Sequence, residues 1–317
     1  MADVMPCYHP LQAFKTAAGD VVFYENARFD ITRSLTLPCG QCVGCRLERS
    51  RQWAVRCMHE ASLWQKNCFI TLTYNDQWVP EDKSLHYDHF QKFMKRLRKR
   101  FSGYEEDSQG KRPIRFYMAG EYGENFGRPH FHACLFNFDF EDKVFFKKTE
   151  SGCKVFRSQA LEELWSDPKT EMSLGFSSIG DVTFQSAAYV ARYIMKKING
   201  KNADDHYEFT HPVTGEISLR RPEFNKMSLK PGIAAGWYEK WKDDVYPHDY
   251  VVVNGKQVRP PRYYDKKFAK EYPVEFDMIE FDRYNRRCER EVDTDDRLAV
   301  KEKVAKARLQ SLKRTLT

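Results

Sequence analysis

The sequence predicts an α+β fold: an antiparallel sheet in the order β-α-β-β-α-β, the split ferredoxin- or RRM-like unit, with helices on one side. Three observations predict it. Residues 68–74 form a β-branched and aromatic run that stops at the turn signal Asn75-Asp76. Residues 114–120 and 131–138 are two further strand runs, joined by a connection containing Gly123 and Gly127, which reads as an antiparallel hairpin. Helix-period segments alternate with these strands: Phe90, Phe93, Met94, Leu97 and Phe101 follow the first, and Ala187, Ala191, Ile194 and Ile198 follow a fourth strand run at 176–184.

In chain order, residues 1–45 are irregular, carrying Pro6, Pro10, Pro38 and a cysteine cluster. A helix is expected over 47–64, with Leu47, Ala54, Met58 and Ala61 on one face and Arg49, Arg51 and Arg56 among its polar positions. After the 68–74 strand, Asp88 with Gln91 three residues on suggests the helix N-cap. A short helix is expected over 158–165, and Asn199-Gly200 stops the helix over 185–198. Beyond Lys201 the pattern weakens: 224–230 reads as a short strand or turn, 232–241 as a helix, and 246–265 as an extended, aromatic, Pro-rich stretch. From about Asp277 both signs of charge dominate, as in a solvated helix or mobile tail.

Lysine and arginine exceed aspartate and glutamate, giving a formal net charge of +7 and favouring a polyanionic partner. No apolar run is long enough to span a membrane, and the start has neither a basic n-region nor an apolar h-region. A soluble protein that is not secreted is expected. The nine cysteines are odd in number, with three packed into Cys39-Gly40-Gln41-Cys42-Val43-Gly44-Cys45, which suits metal binding or reduced thiols in a reducing cytoplasm better than a disulfide framework.

The chemistry-bearing residues fall on the hairpin and on the last helix of the unit. His130 and His132 flank Phe131, and on an extended strand positions i and i+2 share a face, so the two imidazoles can hold one metal while Phe131 enters the core. Glu121, just past the paired strand, supplies a third ligand and leaves open positions for phosphate and water; Glu124 is the fallback. A structural histidine pair is the competing reading. Tyr189 and Tyr193 lie one helical turn, about 5.4 Å, apart and opposite the apolar stripe, so both can address one phosphate. Lys196 or Lys197 can neutralise phenolate or leaving-group charge. Phenols are poor nucleophiles near pH 7 until activated, and a divalent cation, Mg2+ or Mn2+, can withdraw charge from the phosphate and orient it. An aromatic surface pair is the alternative for the tyrosines.

Lys95, Arg98 and Lys99 belong to a basic helix face that either contacts phosphate or is merely solvated. Arg49 and Arg56 are further candidates for DNA contact. Single-stranded nucleic acid also requires stacking platforms, for which Phe116, Tyr117 and Tyr122 are candidates unless they pack internally. Cys39, Cys42 and Cys45 provide three soft ligands in a glycine-containing loop, and Cys7 or His9 can complete a structural zinc site; unliganded thiols and an iron–sulfur cluster are the alternatives. Cys57, Cys68 and Cys134 read as core fillers.

Together, Phe69-Ile70-Thr71-Leu72-Thr73, the stretch from Gly120-Glu121 to His130-Phe131-His132, and the segment from Tyr189 to Lys197 resemble the three ordered motifs of HUH endonucleases. The spacing and doubled tyrosine resemble the replication-initiation proteins of microviruses. The cysteine cluster, Tyr8-His9-Pro10 and Pro260-Pro261-Arg262-Tyr263-Tyr264 resemble the gokushovirus branch. This resemblance implies a nicking and joining enzyme of rolling-circle replication, with Tyr189 and Tyr193 as alternating nucleophiles and His130, His132 and Glu121 as metal ligands. Lys197 would be the associated lysine, with Lys196 competing for the role. It also implies viral origin DNA as substrate, a host helicase and replication machinery as partners, and the host bacterial cytoplasm as the location. No GxxxxGK[ST] loop is present, so no nucleotide cofactor is expected and unwinding falls to a separate helicase.

The expected organisation is a Cys-rich segment and basic helix (1–66), the endonuclease core (67–200), an extension packed on the core (201–275) and a charged tail (276–317). A plasmid relaxase or tyrosine transposase shares the chemistry, and a non-catalytic zinc-containing nucleic-acid-binding protein is the reading from another class.

Overall fold

The computed structural model describes residues 7–26, 28–123, 127–192, 203–211, 214–288 and 293–311. In chain order, β1 (Leu11–Thr16), β2 (Val21–Val22) and β3 (Ile31–Leu37) precede α1 (Val43–Ala61), β4 (Asn67–Thr73) and α2 (Tyr87–Arg100). The hairpin β5 (Arg115–Tyr122) and β6 (Pro129–Phe136) is followed by β7 (Val144–Lys148), β8 (Lys154–Arg157), α3 (Gln159–Leu164), β9 (Ser177–Gly180) and α4 (Phe184–Arg192). Then come α5 (Ala203–Tyr207), β10 (Glu208–Thr210), β11 (Ile217–Leu219), β12 (Phe224–Met227), α6 (Ala235–Val245), β13 (Val251–Val253) and β14 (Lys256–Val258). The last helices are α7 (Arg262–Glu271), α8 (Pro273–Cys288) and α9 (Asp295–Ser311). The chain divides into two compact units, Ser50–Asp244 and Met1–Arg49 with Val245–Lys313.

The first of these contains a seven-stranded antiparallel sheet in the order β12-β5-β6-β4-β9-β8-β7. The predicted hairpin forms its second and third strands, and β4, beside β6, is the central one. Strand alternation sends Phe131, Ala133 and Leu135 to one face, where they meet Ile70, Leu72, Phe116 and Met118. That face is closed by Phe90, Phe93, Met94 and Leu97 of α2 and by Leu161 and Leu164 of α3, all buried. His130, His132 and Cys134 take the opposite face, with Thr71, Ala119 and Glu121 beside them in register.

The second face is also covered. Trp53 of α1 stacks on Tyr117, with centroids 4.6 Å apart, and α4 is tied down by Asn225, whose side-chain amide donates to the carbonyls of Val190 and Met118. The α+β expectation therefore holds with one amendment: helices lie on both faces rather than one. The run Phe131 to Phe136 is continuously buried in consequence. Uninterrupted burial of this sort marks a strand enclosed on two sides.

Local outcomes follow from capping and context. Ser158 caps α3, its hydroxyl accepting from the Leu161 N–H at 3.1 Å. The α2 N-cap is His86 rather than Asp88, and it makes no side-chain cap hydrogen bond. α4 begins in a reciprocal pair, with Ser186 N–H donating to Thr183 Oγ1 and Thr183 N–H to Ser186 Oγ. The stretch 246–265 is a β13–β14 hairpin leading into α7 rather than an extended strap. In its unit, the buried carboxylates of Asp249 and Asp265 are held by Arg283, which explains why so polar a segment orders. No helix among the described residues is long and apolar enough to cross a membrane.

Candidate active site

The register of the hairpin assembles the site. Glu121 lies directly across from His130, and Ala119 and Thr71 flank His132 from the two neighbouring strands. His132 is 1% exposed, and its Nε2 is 2.8 Å from Glu121 Oε1. Adjacent ligands of an octahedral Mg2+ shell lie about 3 Å apart when each bond is about 2.1 Å, so this separation fits two ligands of one ion. Phe69 stacks against the imidazole at 5.9 Å. His130 is half-buried, with its ring centroid 6.4 Å from that of His132. It rests against Gly123, where a Cβ would fall 2.7 Å from His130 Cε1. Any larger residue at 123 must displace that ring. His130 does not converge with His132 and Glu121 as tightly as two other ligand groups do among the described residues.

The Tyr189 and His132 rings meet edge to face, with centroids 5.3 Å apart and planes at 84°. The core face of α4 is Ser186, Ala187, Val190 and Ala191, which leaves Tyr189 half-buried on the side that meets the histidine strand. Ala187 and Ala191 of the expected apolar stripe are buried, whereas Tyr189 is only half-buried. Tyr193, Lys196 and Lys197, and the fallback ligand Glu124, lie outside the described residues.

Thr71 escaped sequence reasoning. Its Oγ1 is 2.9 Å from His132 Nδ1, and the residue is 6% exposed. A ligand histidine whose other nitrogen is held by an outer partner has a fixed ring orientation and tautomer, and loss of that partner typically costs about 10–100-fold in metal affinity or activity. Thr71→Val, similar in shape but without the hydroxyl, is expected to weaken Mn2+-dependent turnover by about that factor. A metal titration of the cleavage rate checks this, and unchanged metal dependence would remove Thr71 from the site. Asn225 also escaped, because its strand, Phe224–Met227, carries no pattern that marks one polar residue from another.

The remaining candidates separate by geometry. The second face carries the histidines, whereas α2 covers the first, so Lys95 and Lys99, though exposed, sit across the sheet from His132. Arg98 donates to the Ile114 carbonyl and Arg56 to that of Ile233, with Arg56 also over the Trp53 ring at 4.1 Å. The Tyr122 hydroxyl donates to the Arg221 carbonyl and accepts from the Leu85 N–H. These bonds engage all three side chains within the fold, with Arg56 and Tyr122 half-buried and Arg98 still exposed. Phe116 and Tyr117 are buried, which decides in favour of their packing alternative. Arg49, in the other unit, is exposed.

In that other unit Cys7, Cys39, Cys42 and Cys45 converge, with all four sulfurs within 4.8 Å of one another. Cys7 Sγ and Cys42 Sγ are 3.9 Å apart, against about 3.8 Å for the edge of a tetrahedron with zinc–sulfur bonds of about 2.3 Å. Backbone N–H groups of Tyr8, Cys39 and Cys42 donate to Cys42, Cys7 and Cys39 sulfurs respectively. Burial pushes the Cys39 thiol up, but the N–H groups of Cys42 and Gln41 outweigh it and bring the pKa down to about 7. Burial raises that of Cys45. His9 turns away to Glu302 at 3.1 Å, so Cys7 is the fourth member of the cluster.

Comparison with known proteins places this arrangement in a class. A family model for replication-associated proteins of the ORF2 type matches residues 67–198, the segment holding the histidine strand and the tyrosine helix. The chain is 34% identical over 280 residues to replication-associated protein VP4 of Bdellovibrio phage phiMH2K, covering 88% of this chain and 81% of that protein. It is 30% identical over 291 residues to replication-associated protein ORF2 of Spiroplasma virus 4, covering 86% and 83%. Replication-associated protein ORF4 of Chlamydia phage 1 is 28% identical over 242 residues, covering 75% and 54%. No solved structure matches. The chain belongs to the replication-initiation proteins of microviruses.

Proposed function

We propose that this protein is the origin-specific endonuclease and strand transferase of rolling-circle replication. The observation that carries the reading is the edge-on contact between Tyr189 and His132 at 5.3 Å, with Glu121 2.8 Å from the same imidazole. A candidate nucleophile and a metal-ligating pair thus meet on one sheet face. His130, His132 and Glu121 would hold Mg2+ or Mn2+, which when bound withdraws charge from the scissile phosphate and orients it for in-line attack. Tyr189 Oη, or Tyr193 Oη one turn on, forms the new bond to phosphorus as its phenolic proton leaves. The bond from phosphorus to the 3′ oxygen breaks, and that oxygen retains the electron pair and takes a proton. A 5′-phosphotyrosine and a 3′-hydroxyl primer result. The second tyrosine repeats the attack on the regenerated origin, and the free 3′-hydroxyl displaces the first tyrosine to close the circle. Lys197 or Lys196 stabilises the phenolate charge.

The phosphotyrosine conserves bond energy, so rejoining requires no nucleotide. Unwinding then falls to a host helicase in the bacterial cytoplasm. Lys95, Arg98, Lys99 and Arg49 are exposed cations for duplex or flanking DNA.

The test is cleavage of labelled single-stranded origin DNA with Mn2+, resolved under denaturing conditions. Wild type, Tyr189→Phe and Tyr193→Phe should each leave a covalent protein–DNA adduct, and the double variant none. Loss of adduct in one single variant would replace alternation by a sole nucleophile. No adduct with wild type, despite binding to the correct origin, would overturn the reading in favour of a binding protein.

The cysteine cluster is proposed to hold structural zinc. Cys42→Ser should lose about one zinc per chain and lower thermal stability, because a structural zinc site contributes folding free energy directly. Nicking by the protein that remains folded should stay within a few fold. Equal stability and no zinc in either form would refute the assignment.

A further inference from the structure

The sheet carries a second group of metal-ligating side chains on its α2 side. His86 caps α2, Asp88 and His89 occupy its first turn, and their ligand atoms lie within 4.8 Å of one another. We propose that His86 Nδ1, the Asp88 carboxylate and His89 Nε2 form a binding site for an imidazole-preferring divalent ion of the zinc class, separate from the histidine strand and from the cysteine cluster.

The arrangement of the outer atoms argues for this. Asp88 stands between the rings, with Oδ1 4.0 Å from His86 Nδ1 and Oδ2 3.9 Å from His89 Nε2. Ligands of a tetrahedral zinc with bonds of about 2.0–2.1 Å lie about 3.4 Å apart, so a contraction of roughly half an ångström brings each ring to ligand distance from Asp88, and the two rings start within 4.8 Å of one another. The far nitrogen of each imidazole is already engaged. His86 Nε2 lies 3.0 Å from both oxygens of Asp82, and His89 Nδ1 lies 2.7 Å from the Tyr74 hydroxyl. Carboxylate–histidine–metal relays use this outer contact, which keeps the lone pair of the inner nitrogen available to an ion. The Arg221 guanidinium donates to His86 Nδ1 at 3.2 Å, so that nitrogen presents a lone pair.

The local helix chemistry points the same way. An N-cap position favours Ser, Thr, Asp or Asn, yet His86 stands there and makes no side-chain cap bond. His86 is therefore poorly explained by helix stability alone. Three cationic influences oppose an ion: Arg221 on His86, Lys92 on Asp88 at 3.0 Å, and the positive end of the α2 dipole. Asp82 and Asp88 offset two of them. Arg221 and Lys92 are both exposed and free to swing aside, and the ion would take the place of the former. Nitrogen donors select zinc-class ions over magnesium.

The site lies apart from the proposed nicking centre. Tyr74 packs with Phe131 and Trp165 in the core beneath α2, whereas His132 faces α4 across the sheet. The test uses the full chain carrying His130→Ala and His132→Ala, loaded with zinc at the cysteines and then dialysed against Ni2+ as the probe. About one Ni2+ per chain is expected. His86→Gln or His89→Gln should weaken its binding by at least about tenfold, and Tyr74→Phe by about tenfold through the outer contact alone. Lys92→Ala, an exposed change that cannot disturb the core, should tighten binding several-fold. Absence of a Ni2+ equivalent, or binding indifferent to all four substitutions, would overturn the site. Should the histidine variants fail to fold, the opposite shifts for Lys92→Ala and Tyr74→Phe decide alone.

Discussion

Alanine at His132 is expected to lower cleavage of single-stranded origin DNA by at least about a thousandfold while leaving most of the DNA affinity. A bound cation contributes several kcal/mol of transition-state charge stabilisation, and each step of about 1.36 kcal/mol is a factor of ten in rate. His132 is the residue to choose because it meets Glu121, Thr71 and Tyr189 at once. His130→Ala should act in the same direction. It is the more exposed member, and when it is lost Glu121 keeps its contact with His132, so it separates chemistry from folding. The measurement is a single-turnover cleavage rate beside a binding isotherm, with a thermal melt to confirm that each variant is folded. Near-normal nicking by both variants would dismiss the metal assignment and leave the histidines structural.

The largest stability effect is expected at Glu60, far from any chemistry. Its carboxylate is 2% exposed and holds three elements together. Oε1 accepts from Arg115 Nε at 2.6 Å and from Trp64 Nε1, while Oε2 accepts from the Ala234 N–H at 2.6 Å. Arg115 is itself buried, with a further bond to the Pro231 carbonyl. Removing one partner of a buried pair strands the other charge, at a cost of about 3–5 kcal/mol. At about 2–4 °C per kcal/mol for a unit of this size, Glu60→Ala should lower the melting temperature by roughly 6–20 °C. Glu60→Leu combined with Arg115→Met should recover part of the loss, since the stranded charge is then gone. Thermal or urea unfolding checks both. A shift below about 1 kcal/mol for Glu60→Ala would mean that the Arg115 charge finds water or another partner.

Much of the fold was legible because it rests on local periodicity. Strand β4, the β5–β6 hairpin, the apolar face of α2 and the capped α3 all follow from residue types at spacings of two or three to four. The site was legible where it depends on the same periodicity. The i, i+2 histidines share a face because β6 is a strand, and Glu121 stands beside them because the turn sets the register. Cysteine convergence was only half legible: the Cys39, Cys42 and Cys45 loop is a local motif, whereas the choice of Cys7 over His9 depends on the pairing of His9 with Glu302 in α9.

Charge patterning left open the partners that long side chains take inside the fold. Arg56 and Arg98 read as solvent- or DNA-facing cations, and in the fold each donates to a backbone carbonyl and sets its guanidinium over an aromatic ring, Arg98 while remaining exposed. Tyr122 likewise spends its hydroxyl on backbone.

The sequence by itself determined the class of fold, the strand bearing His130 and His132, the helix bearing Tyr189 and the loop bearing three cysteines, since each is set by nearest neighbours along the chain. Only the tertiary structure decided that helices cover both sheet faces and that α2 lies across the sheet from His132. It alone brought Thr71 and Asn225 to the site, and Asp82 and Tyr74 to His86 and His89. Those outcomes depend on which strands pair and which buried polar atoms must find partners, and long-range pairing leaves no periodic trace in the sequence.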